Sequence, residues 1–177
     1  GVLVVARTPL AREHLKAQFA SHSIEREYLA IAVGAVHART FDTPHGRHPT
    51  DRLRFTTRAN PGKRAVTHVK VLEALDGATL LSCRLETGRT HQIRVHLADA
   101  GTPLLGDSVY GSPPREPRLR DAGETLGRQA LHARLLGFLH PRTAVSLRFE
   151  SAVPTDFAVA LDALRKRPPC ARVLPVL

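Results

Sequence analysis

The chain has 177 residues, 42% of them hydrophobic and 24% charged, and carries 26 basic against 16 acidic side chains for a formal net charge of +10. That length and balance suit one folded domain with a real core and exclude a chain too polar to collapse. No apolar run approaches the roughly 18 residues of a membrane span, and two cysteines, Cys83 and Cys170, are too few for a disulfide framework, so a reduced, cytoplasmic setting is expected.

Residues 1–6 (GVLVVA) read as a buried strand. A domain seldom starts on the first atom of a core strand, and the chain has no Met, so a cut on the N-terminal side is expected. Thr8 followed by Pro9 is a helix start, and Leu10, Leu15 and Phe19 would mark the inner face of a helix ending near Ser21. Residues 27–34 (EYLAIAVG) read as a strand with Tyr28, Ala30 and Ala32 on one face and Leu29, Ile31 and Val33 on the other. Residues 35–62 are basic, interrupted by Pro44, Pro49 and Pro61, and read as irregular. Residues 64–74 and 78–87 alternate as a strand pair turned at Asp76-Gly77. Residues 90–100 read as a helix capped by Thr90 and closed by Gly101, and 112–127 as a Pro- and Arg-rich loop. Two further strands are expected over 131–139 and 145–149, then an amphipathic helix over 154–166 with Phe157, Leu161 and Leu164 inward. Strands mixed with separate helices, without a regular βαβ rhythm, favour an α+β fold with a mixed, largely antiparallel sheet and flanking helices. The domain is expected over 1–167, with a frayed tail over 168–177.

All the basic residues but Lys16, Lys63, Lys70 and Lys166 are arginines, whose planar fork suits phosphate, so a polyanion, by default a nucleic acid, is the expected partner. The densest polar segment is LETGRTHQIRVH at 85–96, where Thr87, Arg89, Thr90, His91, Gln92, Arg94 and His96 crowd a strand-to-helix junction. Backbone N–H groups at a helix start attract anions, and with Thr90 as cap His91, Arg94 and Val95 share a face. The alternative is a solvated helix start with one structural ion pair. A second basic stretch holds Arg47, Arg52, Arg54, Arg58, Lys63 and Arg64 against Asp51 alone, as a phosphate-tracking surface or a solvated loop. Tyr28 can fill the core or stack on a base. His91 and His96 are five apart and do not share a helix face, so no metal site is expected, and 106–107 and 110–111 look like turns.

The motifs, taken together, resemble the RluA/RluD-type pseudouridine synthases. TGRTHQIRVHLA at 87–98 resembles the family signature, and GVLVVART at 1–8, REYLAIAVG at 26–34, RHPTDR at 47–52, GKRAVTHVKVLE at 62–73, GTPLLGDSVYG at 101–111 and RQALHARLLGFLHP at 128–141 resemble further blocks in the family order. The RHPT and RQALHA blocks lean toward the RluD-like branch, which modifies large-subunit ribosomal RNA. The resemblance implies conversion of uridine to pseudouridine with no metal or organic cofactor, in a sheet with a central RNA-binding cleft. It implies that Tyr28 stacks on the target base, that Arg94 pairs with the catalytic aspartate, and that Leu131 lines the pocket. Arg89, Thr90, His91, Gln92, Arg47 and Lys63 are the expected RNA contacts of a monomer away from membranes. The family nucleophile lies in HRLD-x-x-[TS]-[ST]-G, whose final glycine corresponds to Gly1. None of Asp42, Asp51, Asp76, Asp99, Asp107, Asp121, Asp156 or Asp162 stands in that context, and Asp107 is expected to be structural. The chain alone is therefore expected to be inactive. The competing readings are a non-catalytic RNA-binding remnant of the same fold and a basic structural component of the ribosome.

Overall fold

Seven strands, all neighbouring pairs antiparallel, form one sheet with the order β3-β2-β4-β5-β1-β6-β7 in the computed structural model, which describes residues 1–165. The strands are β1 (Glu25–Val33), β2 (Arg39–Arg47), β3 (Phe55–Thr56), β4 (Lys63–Ala74), β5 (Ala78–Leu85), β6 (Leu131–Leu139) and β7 (Ser146–Glu150). The helices are α1 (Pro9–Ala20), α2 (Gln92–Asp99), α3 (Pro117–Leu126) and α4 (Thr155–Leu164). The α+β expectation holds. The expected tail over 168–177 and Cys170 lie outside the described residues.

β1 is the hinge of the architecture because both its faces are apolar. Leu29 and Ile31 join Leu80, Leu105 and the inner faces of α3 and α4, where Phe157 and Leu164 are fully buried. Ala30 and Ala32 face the other way and pack with Leu81, Cys83 and the α2 residues Ile93 and Leu97. The period of two seen in the sequence thus divides two cores, one on each face of the sheet. The β4–β5 hairpin turns where expected, with Gly77 at φ +69 and the Leu75 amide donating to the Ala78 carbonyl. Phe157, Leu161 and Leu164 line the inner face of α4 as expected.

Five expectations need correction. Residues 1–6 are not a strand: the Val2 amide donates to the Ala133 carbonyl at 2.9 Å, but β7 already occupies the edge of β6 over 135–139, and Leu3 and Val5 are exposed. α1 is capped by Thr8 as expected, yet only Leu15 is buried, while Leu10 and Phe19 face outward. The irregular stretch 35–62 contains β2 and β3. β2 offers one buried apolar residue before His45, Phe41, so its pairing with β4 and not its own periodicity defines it. The loop expected over 112–127 contains α3, with Pro117 at its start, Gly127 at φ +66 after its end and Leu119, Ala122 and Leu126 buried. Finally, His91 and not Thr90 stands at the N-cap of α2, in the left-handed region at φ 56.

Candidate functional site

The site grows from the turn between β5 and α2. Gln92 holds it from within. Its side-chain oxygen accepts from the Thr87 hydroxyl at 2.8 Å and the Arg89 amide at 2.9 Å. Its amide nitrogen donates to the Val66 carbonyl and the Thr67 hydroxyl, each at 2.9 Å. Gln92 is buried with its hydrogen-bonding capacity filled, so the structure makes it the anchor of the turn and corrects its expected placement at the RNA surface. The anchor pulls the chain inward at 92 and leaves Arg89, Thr90 and His91 outside it.

Those neighbours meet the other basic stretch. Arg47, Lys63, Arg89 and Thr90 line one groove of about 580 Å³ with His45 and Phe55. Four of the expected RNA contacts, drawn from three distant segments, therefore face a common space. Arg47 lies over the Phe55 ring at 4.8 Å and donates to the Arg52 carbonyl. The Arg89 Nε donates to the Arg64 carbonyl at 3.1 Å. Arg64 itself is tied to Asp42 and Glu86 by ion pairs of 2.7 and 2.8 Å. Three cations at one groove are what an anionic backbone needs.

A chain of rings leads from the groove to Arg94. Phe55 meets His91 edge-on at 6.0 Å, and His91 meets Tyr110 edge-on at 5.6 Å. The Tyr110 hydroxyl sits 3.0 Å from His91 Nδ1 and accepts the Phe55 amide at 3.0 Å. Arg94 lies over the Tyr110 ring at 4.9 Å, whereas the next residue, Val95, is fully buried. Two members of the expected shared face, His91 and Arg94, converge, and Val95 does not.

Arg94 makes a side-on ion pair with Asp107. Its Nε reaches Oδ2 at 2.7 Å and its Nη2 reaches Oδ1 at 2.8 Å. Asp107 also accepts the amides of Val109 and Tyr110 at 3.0 and 3.1 Å. Burial pushes the Asp107 carboxyl up, but these donors prevail and hold it below the usual carboxylate range. The GD-x-x-YG block read from the sequence as turns thus supplies both partners of Arg94. An aspartate inside a family block, 13 positions after an arginine expected to need a carboxylate, was the available signal.

Tyr28 and Leu131 lie on the α2 face of the sheet. Tyr28 pairs with Ala133 and Ala30 with Leu131, so the two side chains are diagonal neighbours across β1 and β6. Both are half-buried against the cluster that contains Ile93 and Leu97. Burial raises the Tyr28 phenol pKa, and the Arg26 charge works against that rise. Gly1 sits against Ala133, the residue paired with Tyr28: a Cβ at Gly1 would come within 2.8 Å of the Ala133 carbonyl.

Beneath the groove, His96 is buried between the Thr67 hydroxyl at 2.9 Å and the Thr43 hydroxyl at 3.1 Å, stacked on Phe41. Burial, then the neighbouring His45, lowers its pKa to about 4. Between pH 6.5 and 4 the unfolded chain binds a proton that the folded one refuses, so stability falls as pH drops through that window. The expected loss is about 3 kcal/mol. Denaturation measured across pH 4–7 checks it, and His96→Phe should flatten the slope.

Among the described residues no three His, Cys, Asp or Glu side chains converge as metal ligands, and no helix is long and apolar enough to cross a membrane. The sequence pattern of the family described as RNA pseudouridylate synthase matches residues 1–99. Ribosomal large subunit pseudouridine synthase D of Nitrosomonas europaea is 47% identical over 169 residues, which cover 95% of this chain and 49% of that protein. An uncharacterized RNA pseudouridine synthase of Bacillus subtilis is 44% identical over 94% of this chain and 52% of its own length. The chain spans about half the length of the curated relatives it matches. The solved structure of human RNA pseudouridylate synthase domain containing 4 superposes with a TM-score of 0.72 at 25% identity, over 93% of this chain and 71% of that one. A family pattern covering more than half the chain, together with close relatives along nearly all of it, establishes that the chain belongs to the RNA pseudouridylate synthase family.

Proposed function

We propose that the chain is most of the catalytic domain of an RNA pseudouridine synthase that acts on large-subunit ribosomal RNA. The observation that carries the reading is the convergence of Tyr28 and Leu131 on the α2 face, with the Arg94 Nη1 left uncommitted by Asp107. In this reading the uridine leaves its stack and lies on the Tyr28 ring, which repays part of the unstacking cost. Leu131 closes the pocket beside it. The free edge of Arg94 orients a second carboxylate, the nucleophile, and keeps it ionised while the glycosidic bond breaks and the base rejoins the ribose through carbon. The groove of Arg47, Lys63, Arg89 and Thr90 holds the flanking backbone, with His91 between groove and base. No cofactor takes part, and one copy of the domain carries the whole set.

The nucleophile belongs to the HRLD-type motif that ends at Gly1. The engagement of the chain's own aspartates supports this. Asp107, the partner of Arg94, has a fully buried side chain whose two oxygens are taken by Arg94 and the Val109 and Tyr110 amides, so it cannot reach a base, and Asp42, Asp76, Asp156 and Asp162 are tied to arginines other than Arg94. Asp51 and Asp99 accept the backbone amides of Leu53 and Thr57. Asp121 is exposed on α3, across the sheet from Tyr28. This chain alone should therefore form no pseudouridine in a large-subunit RNA fragment, whereas the full-length protein should. Carbodiimide adducts that stop reverse transcription read the product. Turnover by the 177-residue chain, or none by the full-length protein, overturns the proposal.

Arg89→Ala should weaken RNA binding and reduce the slope of log affinity against log salt by about 0.7 for a single-stranded RNA. A titration series in potassium chloride measures it, and an unchanged slope removes Arg89 from the phosphate surface.

A further inference from the structure

His45 is only 4% exposed, yet it belongs to the lining of the basic groove. Its Nε2 lies 2.9 Å from the Thr90 carbonyl. A carbonyl can only accept, so Nε2 carries the hydrogen, and in the neutral ring Nδ1 is left with the lone pair. That Nδ1 is buried and has no hydrogen-bond partner. The ring is stacked on Phe55 at 5.4 Å with an interplanar angle of 12°, which fixes its plane. Burial lowers the ring's pKa, the Thr90 bond opposes this, and the Arg89 charge lowers it further, so the ring is neutral at pH 7. The groove therefore combines three cations with a single desolvated acceptor that cannot serve a phosphate, since a phosphate oxygen offers no hydrogen.

We propose that His45 Nδ1 accepts a hydrogen bond from a ribose 2′-hydroxyl, so that this groove selects RNA over DNA. The inference rests on the RNA-binding reading of the groove. The chemistry is specific: the 2′-hydroxyl is the one donor that every ribonucleotide backbone unit carries and that DNA lacks. Arg47, Lys63 and Arg89 hold the phosphates on either side, and neither they nor Thr90 distinguishes the two sugars. Arg47 and Lys63 are exposed and line the same groove as the ring.

The test compares a labelled single-stranded uridine-rich RNA with the deoxyuridine DNA of the same sequence, both titrated with the 177-residue chain by fluorescence anisotropy. The wild type is expected to prefer RNA by about tenfold, the scale of one hydrogen bond to a buried group. His45→Gln keeps a nitrogen where Nε2 donates to Thr90 and removes the Nδ1 acceptor. It should bring the preference within about twofold, with the loss falling on RNA more than on DNA. His45→Asn places an oxygen near Nδ1 and should restore part of the preference. Thermal melting of each variant reports whether the fold is kept. Equal binding of RNA and DNA by the wild type, or a preference that survives His45→Gln, overturns this inference and leaves the RNA-binding reading standing. Binding of neither nucleic acid overturns both.

Discussion

Replacing Asp107 with Ala is expected to destabilise the domain by about 3–5 kcal/mol, the range for removing one partner of a buried ion pair. The Asp107 side chain is fully buried and that of Arg94 is 12% exposed, so the guanidinium left behind has little water to turn to. The amides of Val109 and Tyr110 lose their acceptor as well. Asp107→Asn should cost less, because one oxygen remains to accept. Urea denaturation of the three proteins measures the difference. The pH dependence has a definite sign. The folded carboxyl is held below its ordinary value of 3.8, so its contribution is present above that value and is lost as pH falls below it. Asp107→Asn should remove that acid limb. A difference below about 1 kcal/mol at pH 7 would mean that Arg94 finds another anchor.

Arg94→Ala in the full-length protein is expected to cut kcat by about 100- to 1,000-fold with little change in KM for RNA. Loss of one charge-stabilising donor at a reacting group has that scale. A group that acts only through the nucleophile contributes after binding, so affinity should persist. The fold is a necessary control, because Asp107 loses its partner in this variant too. Arg94→Lys retains the charge but not the side-on fork, and should recover stability more than turnover. A loss confined to KM would move Arg94 from the reaction to the RNA surface.

These two residues show how far the sequence carries. Arg94 and Tyr28 could be proposed as site residues because they stand inside recognisable blocks. Asp107 and Tyr110 stand in such a block as well, yet their chemistry was not legible. A block shows that residues recur together and says nothing about which side chains meet. Gln92 illustrates the same limit from the other side. A glutamine beside arginines at a helix start reads as a surface group, and only the approach of β4 turns it into the buried anchor of the turn.

The elements follow the same division. β1, the β4–β5 hairpin and α4 were legible because local pattern and tertiary burial agree there. β2 was not: its one apolar residue before His45 is Phe41, and it becomes a strand because β4 offers a ladder of partners. α3 was hidden by its arginines and prolines, although its Pro start and Gly end conform to ordinary helix signals.

By itself the sequence determined the class of fold, the excess of positive charge, the family blocks and the alternation that sends Tyr28 to one face of β1. These depend on composition and on spacing along the chain, which are local quantities. Only the tertiary structure decided that Arg47, Lys63, Arg89 and Thr90 share a groove, that Arg94 is held by Asp107, and that His45 is buried with one nitrogen unpartnered. These are contacts between segments that lie 13 or more residues apart, and they depend on strand order and register, which no local pattern encodes.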